Sequence, residues 1–228
     1  MTIQAVQAQS QRQKITSLLV TMGLKVEKTL DQAIMALLHS NSHVVTGLME
    51  NAVAIQKLEV AVDQAVFAAL ESGELLSSEI RQVTSVVNIS KEMGRLGKLA
   101  ANLGRRVSQV GEHHEHEDFS RLQPMAIAVS HLCRQTLQAL NRLDPLLARN
   151  AAAGSATVDT YRDYVLRGLQ KPTAALSHEE NVHIIFASRC LEQIADHASE
   201  LAENLVIFLG SSPSPQNSRP EARQQLAC

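Results

Sequence analysis

The sequence predicts an all-α protein made of two tandem, pseudo-symmetric three-helix bundles, six long helices in all. Three observations carry that prediction. Ile184, Ala187, Leu191, Ile194, Ala198, Leu201, Leu205 and Phe208 alternate steps of three and four, the spacing of a seam that packs against neighbouring helices. The same seam recurs 98 residues earlier as Val86, Ile89, Met93, Leu96, Ala100, Leu103, Val107 and Val110, all apolar. Strand signals, meanwhile, are missing throughout. The repeat continues upstream at an offset of 103, where Met22 matches Met125, Ala36 matches Ala139 and Ile55 matches Val158. A duplicated three-helix unit is the economical explanation.

The first helix is expected over residues 12–39, on Ile15, Leu18, Leu19, Met22, Val26, Leu30, Ala33, Ile34 and Leu37. Asn41-Ser42 offers a break and a cap. The second runs to about Leu70 through Val45, Leu48, Met49, Val53, Ile55, Leu58 and Val62, and Glu71-Ser72-Gly73 ends it. The third runs from about Ser78 to Val110, with Gly111 as its stop. The polar stretch GEHHEHEDFSRLQP follows, and the pattern starts again near Pro124. Asp144-Pro145 pairs a cap with a first-turn proline and opens the fifth helix, which Lys171-Pro172 closes. Ser177-His178-Glu179-Glu180 is a capping box that opens the sixth. The expected organisation is a first bundle at 12–111, a His/Glu-rich linker at 112–123, a second bundle at 124–211 and a disordered polar tail at 212–228.

Composition narrows the function classes. A net charge of −2 gives no basic field to recruit nucleic acid or an anionic membrane. Trp is absent and other aromatics are scarce, which argues against base-stacking platforms. No apolar run approaches the ~18 residues that span a bilayer, and MTIQAVQAQSQRQK lacks an apolar signal core. Cys133, Cys190 and Cys228 form an odd set without framework spacing, as in a reducing compartment. A cytoplasmic protein is expected, without nucleic acid as a partner and without membrane insertion.

The chemistry sits beside the second seam. Glu192, Asp196, Ser199 and Glu203 follow the same stepping on a face roughly 100° around the axis. Carboxylates at i and i+4 reach one cation, and hard oxygen ligands suit Mg²⁺, Mn²⁺, Ca²⁺ or iron. Asp159 and Asp163 form a second such pair, while His197 lies one residue off the ladder. The plainer reading of any such pair is a solvated acidic face. At the 98-residue offset Gly94, Lys98 and Arg105 stand in place of Glu192, Asp196 and Glu203. Lys98 and Arg105 are expected opposite Glu59 and Asp63, standing in for a metal electrostatically, an exposed pairing that contributes only about 0–1 kcal/mol.

His113, His114 and His116 with Glu112, Glu115 and Glu117 read as a solvated linker with adventitious metal affinity. Cys133 and Cys190 read as small buried hydrophobes, and Met22, Met93 and Met125 as core. A di-metal bundle enzyme needs a repeated Glu-x-x-His pairing, which is missing. His131, His183 and His197 lack a phosphoacceptor motif. The expected class is therefore a non-catalytic adaptor, with a helical-bundle metal-binding or histidine phosphotransfer protein as the alternative.

Leu191-Glu192-Gln193-Ile194-Ala195-Asp196-His197, with Glu203 beyond it, resembles the Leu-Glu-Arg-Ile-Gly-Asp-type motif that closes each bundle in the PhoU family. Met93-Gly94-Arg95-Leu96-Gly97-Lys98 keeps the Arg and Gly of that motif and loses both acids. TMGLKVEKTLDQAIMAL resembles the family's first helix and Glu79-Ile80-Arg81 its Asp-Leu-Arg turn, whereas Ala52 and Gln56 replace typical aspartates. The resemblance covers about residues 12–211. It implies a cytosolic regulator of phosphate uptake and phosphate-starvation signalling without turnover, acting with a phosphate ABC transporter ATPase and a sensor histidine kinase. Some members bind iron or zinc clusters through Glu/Asp-x-x-x-Asp motifs. For this chain that implies a divalent metal or iron cluster on the second bundle, with Glu192, Asp196, Glu203, Asp159 and Asp163 as ligands. A homodimer is also expected, because elongated bundles with flat charged faces pair.

Overall fold

The computed structural model describes residues 3–39, 45–71, 77–111, 119–169 and 178–210. The chain forms α1 (Ile3–His39), α2 (Val45–Glu71), α3 (Ser77–Gly111), a 3-10 turn at Phe119–Leu122, α4 (Gln123–Arg142), α5 (Pro145–Ala152), α6 (Ser155–Leu169) and α7 (His178–Gly210). Among the described residues there is no strand, and no helix is long and apolar enough to cross a membrane. Helices α1, α2 and α3 pack on one another, and α4, α5 and α6 pack around α7. This is the expected pair of three-helix units, with one difference in helix number.

That difference lies in the fifth rod, expected as one helix from 145 to 171 and found as α5 and α6. Its start is as predicted. Asp144 Oδ1 accepts from the backbone amides of Leu146 and Leu147 at 2.8 and 3.2 Å, and Pro145 fills the first turn. The break falls at Ala153-Gly154, where the Gly154 amide donates to Ala151 O. A Cβ at Gly154 would lie 2.6 Å from Leu132 Cδ1, so the bend brings backbone directly onto α4. A second difference is the start of α1 at Ile3 instead of residue 12. The alanines and glutamines ahead of residue 12 are good helix formers, which favours continuing the rod upstream. The Asn41-Ser42 break, the Ser177 cap, the His/Glu-rich run and the C-terminal tail lie outside the described residues.

The two seams behave as their spacing requires. Val86, Ile89, Met93, Leu96, Ala100, Leu103 and Val107 are buried, and so are Ile184, Ala187, Leu191, Ile194, Ala198, Leu201 and Leu205. Phe208 packs partly buried against the same core. The contact between α3 and α7 is the most extensive of any helix pair. They run antiparallel: Asn88 meets Asn204, Glu92 meets His197, Cys190 Sγ approaches Leu99 O, and Arg106 covers the Phe186 ring at 4.4 Å.

Helices α1 and α4 cross in the same sense, and here the repeat meets itself. Asp31 pairs at 3.2 Å with Arg134, the residue 103 positions on. A small cavity beside them is lined by Glu27, Leu30, Asp31 and Ile34 together with Ser130, Cys133, Arg134 and Leu137, each 103 residues after its mate. Residues facing their own equivalents mark an internal two-fold axis. The two units therefore pack face to face through α1 and α3 of one and α4 and α7 of the other.

Glycines on α3 set how closely α2 approaches. A Cβ at Gly104 would stand 2.2 Å from Cδ1 of the fully buried Leu48, and one at Gly97 would stand 2.8 Å from Ile55 Cδ1. At Gly94 the obstacle is the far end of the Glu59 side chain, which can swing aside. Gly104→Ala should therefore lower stability by about 1–3 kcal/mol, the overpacking cost. Gly94→Ala should stay within about 1 kcal/mol of the parent, because helix propensity favours alanine. Urea unfolding of both variants checks the contrast.

Candidate functional site

Three of the five carboxylates singled out in the sequence, Asp159, Asp163 and Glu192, come together, and they do so around a guanidinium. Asp159 and Asp163 lie on α6, one turn apart, and Glu192 faces them from α7. Between them is Arg162 of α6. Its Nη1 contacts Glu192 Oε1 at 2.5 Å and Asp159 Oδ1 at 3.4 Å, while Nε and Nη2 donate to Asp163 Oδ1 at 3.2 and 2.9 Å. The second oxygen of Glu192 accepts from Arg189 Nη1 at 2.7 Å, one turn back along α7. Both oxygens of Glu192 are therefore engaged by protein cations.

Burial and charge make Glu192 the pivot. It is 8% exposed, yet it lies outside the apolar core cluster and beside Arg189, an exposed residue. Burial pushes its carboxyl upward, but the hydrogen bonds from Arg189 and Arg162 outweigh that and hold it below the usual carboxylate range. Asp163 and Glu192 in turn push the Arg162 guanidinium further toward the charged form. Asp196 is exposed, and burial together with the negative charges of Glu192 and Asp159 raises its carboxyl. Glu203 is exposed one turn beyond the buried Ser199, whose Oγ has no partner.

A second ionic group lies at the joint between the two units. Glu92 of α3 is 6% exposed; its Oε1 accepts from Arg95 at 2.7 Å and its Oε2 lies 2.8 Å from His197 Nδ1 of α7. Glu200 Oε2 comes within 3.6 Å of His197 and 3.8 Å of Arg95. Burial raises the Glu92 carboxyl, and the His197 hydrogen bond offsets this in part. Among the described residues, Glu92, His197 and Glu200 are the group whose ligand atoms all lie within 4.8 Å of one another. His197 thus points across the joint, away from the ladder it follows in sequence.

The first unit departs from expectation. Among the described residues neither Lys98 nor Arg105 forms an ion pair with Glu59 or Asp63. Glu59 instead lies over Gly94, its Oε2 2.2 Å from where a Cβ would stand, so the lost acid leaves room for a carboxylate from α2. Asp63 Oδ1 is buried without a hydrogen-bond partner. Cys133 and Cys190 are buried as expected, and burial pushes their thiols up to about 12 and about 11. Met22, Met93 and Met125 are fully buried. Residues 112–117, with their three histidines, lie outside the described residues.

Sequence reasoning missed Arg162, Arg189 and Glu92. The signal for the first two was present: Arg162 follows Asp159 by three, and Arg189 precedes Glu192 by three. Glu92 carried the same local signal in Arg95, three residues on, but its contact with His197 gave none, because that partner lies 105 residues away on another helix.

Comparison with known proteins finds the PhoU domain twice, at residues 19–107 and 122–205. The phosphate-specific transport system accessory protein PhoU homolog of Pseudomonas aeruginosa is 29% identical over 208 residues, covering 89% of this chain and 85% of that protein. The crystal structure of PhoU from Pseudomonas aeruginosa superposes with a TM-score of 0.79 at 28% identity, over 89% of this chain and 98% of that one. The phosphate transport system regulatory protein PhoU from Streptococcus pneumoniae shares the fold, with a TM-score of 0.76 at 18% identity over 91% and 96% of the two chains.

Glu192→Gln should cost about 1–2 kcal/mol at neutral pH by weakening hydrogen bonds to two charged partners. The sign of its pH dependence follows from the lowered carboxyl. The stabilisation is fully present above the unfolded-state value of about 4.3 and is lost as pH falls through the lower folded value. Parent and variant should therefore differ in urea unfolding at pH 7 and converge only as the pH falls past the lowered folded value.

Proposed function

The chain belongs to the PhoU family, and on that premise we propose that it is a non-catalytic accessory regulator of phosphate uptake and of phosphate-starvation signalling. The observation that carries this reading is the pair of PhoU domains that together span most of the chain, in a fold superposable over nearly the whole length of a PhoU crystal structure. The curated relative of the same extent is named as an accessory protein of phosphate-specific transport.

The partners we propose are a phosphate ABC transporter ATPase and a sensor histidine kinase, met on the cytoplasmic side, with the chain acting as a homodimer. Helix α2 supports a docking role. Met49, Val53, Val60, Phe67 and Leu70 are all large apolar residues left exposed on it, at spacings of four, seven, seven and three. That is a second helical stripe, flanking the residues that bury α2 in its own unit. Turnover forms no part of this reading. Both described thiols are buried and held protonated, and His197 is tied to Glu92.

Deleting the gene should derepress a phosphate-starvation reporter in phosphate-replete medium, and the unmodified gene should restore repression. An unchanged reporter would remove the regulatory reading. Capture of the chain by the transporter ATPase should fall at least about tenfold for Val60→Glu/Phe67→Glu, the loss expected when two central apolar contacts are replaced by charge. Equal capture would place docking on another face.

A further inference from the structure

Three of the five carboxylates expected to hold a metal converge on one cation, and that cation is Arg162. The residues do not fit a bound metal as they stand. Glu192 has both oxygens engaged by guanidinium groups, and Asp159 and Asp163 give their near oxygens to the same Arg162. An ion placed among them would meet two arginines that stay charged at any working pH. Among the described residues, ligand atoms within 4.8 Å of one another belong to Glu92, His197 and Glu200 at the joint, not to the ladder. In the first unit the ladder positions are Gly94, Lys98 and Arg105, and the Glu59 carboxylate fills the space over Gly94.

We propose that Arg162 is a resident counter-cation that takes the place of a metal ion on the acidic face of the second unit, tying α6 to α7 without one. The geometry gives it the work that a bridging ion would do. It neutralises the Asp159/Asp163 pair on its own helix and carries that helix to a buried carboxylate on the next. Arg189 completes the charge balance on Glu192. A guanidinium cannot be chelated or exchanged, so the face stays assembled whatever the metal supply. This inference is independent of the phosphate-regulation reading and holds or fails without it.

The test is Mn²⁺ binding to the full chain, read by loss of the free-ion electron paramagnetic resonance signal, together with thermal melting in Mn²⁺ and in EDTA. The unmodified chain should bind Mn²⁺ only weakly, at about millimolar concentration, and melt at the same temperature in both media. Arg162→Ala/Arg189→Ala frees the carboxylates and should bind Mn²⁺ at least about tenfold more tightly, because affinity follows the number of charged ligands. Adding Glu192→Gln to that background should reverse the gain. Arg162→Lys, which keeps the charge, should behave as the parent. If the double variant is unfolded alone and regains helicity with Mn²⁺, the substitution of metal by arginine is supported directly. The proposal is overturned if the unmodified chain purifies with stoichiometric metal that Glu192→Gln abolishes, or if EDTA lowers its melting temperature. A folded double variant that binds Mn²⁺ no better than the parent overturns it equally.

Discussion

The structure depends on the antiparallel contact between α3 and α7. Each of these helices buries more than its seam: Ala101 on α3, and Ala195 and Ala202 on α7, are also shielded from water. A helix apolar over so wide an arc packs on more than the neighbours of its own unit. It needs a further surface, and the other copy of the repeat supplies one. The buried apolar residues of both units form one continuous cluster, so the two units share one core. The α1–α4 crossing, where Asp31 meets its repeat mate Arg134, completes the joint but contributes little by charge, since both side chains are about half exposed.

Once a duplicated unit packs on itself, each position at the joint occurs twice, and the two occurrences need not be chemically alike. Glu92 and His197 form an ionic pair on one side of the axis. Their equivalents under the 98-residue offset, Cys190 and Leu99, make a thiol-to-carbonyl contact on the other. The acidic ladder shows the same divergence. One copy gathers Glu192, Asp159 and Asp163 around Arg162, while the other has lost its acids and folds Glu59 over the vacated glycine. Packing holds the scaffold symmetric, and charge is where the copies separate.

The scaffold was legible because burial follows periodicity. Every described seam residue lies in or against the core, and the Asp144-Pro145 start is a local signal that needs no tertiary knowledge. The break at Ala153-Gly154 was not legible, because it answers to Leu132 on another helix. The site was legible by halves. Spacing identified which carboxylates share a face, but it treated arginines among them as ordinary surface charge. Whether Arg162 points to solvent or into the acidic cluster depends on how α6 sits against α7, and only the packed structure decides that. The Lys98 and Arg105 pairing was no more legible, because spacing does not show that Glu59 lies over Gly94 instead.

The central claim is that the two repeats form one cooperative unit through the α3–α7 joint. Native-state hydrogen exchange across a denaturant series tests it most directly, comparing amides in the middle of α3, residues 93–103, with those in the middle of α7, residues 191–201. If the core is shared, both sets exchange only through global unfolding, with one opening free energy and one denaturant dependence. Amides of one helix exchanging at a clearly lower free energy, while the other stays protected, would contradict the account.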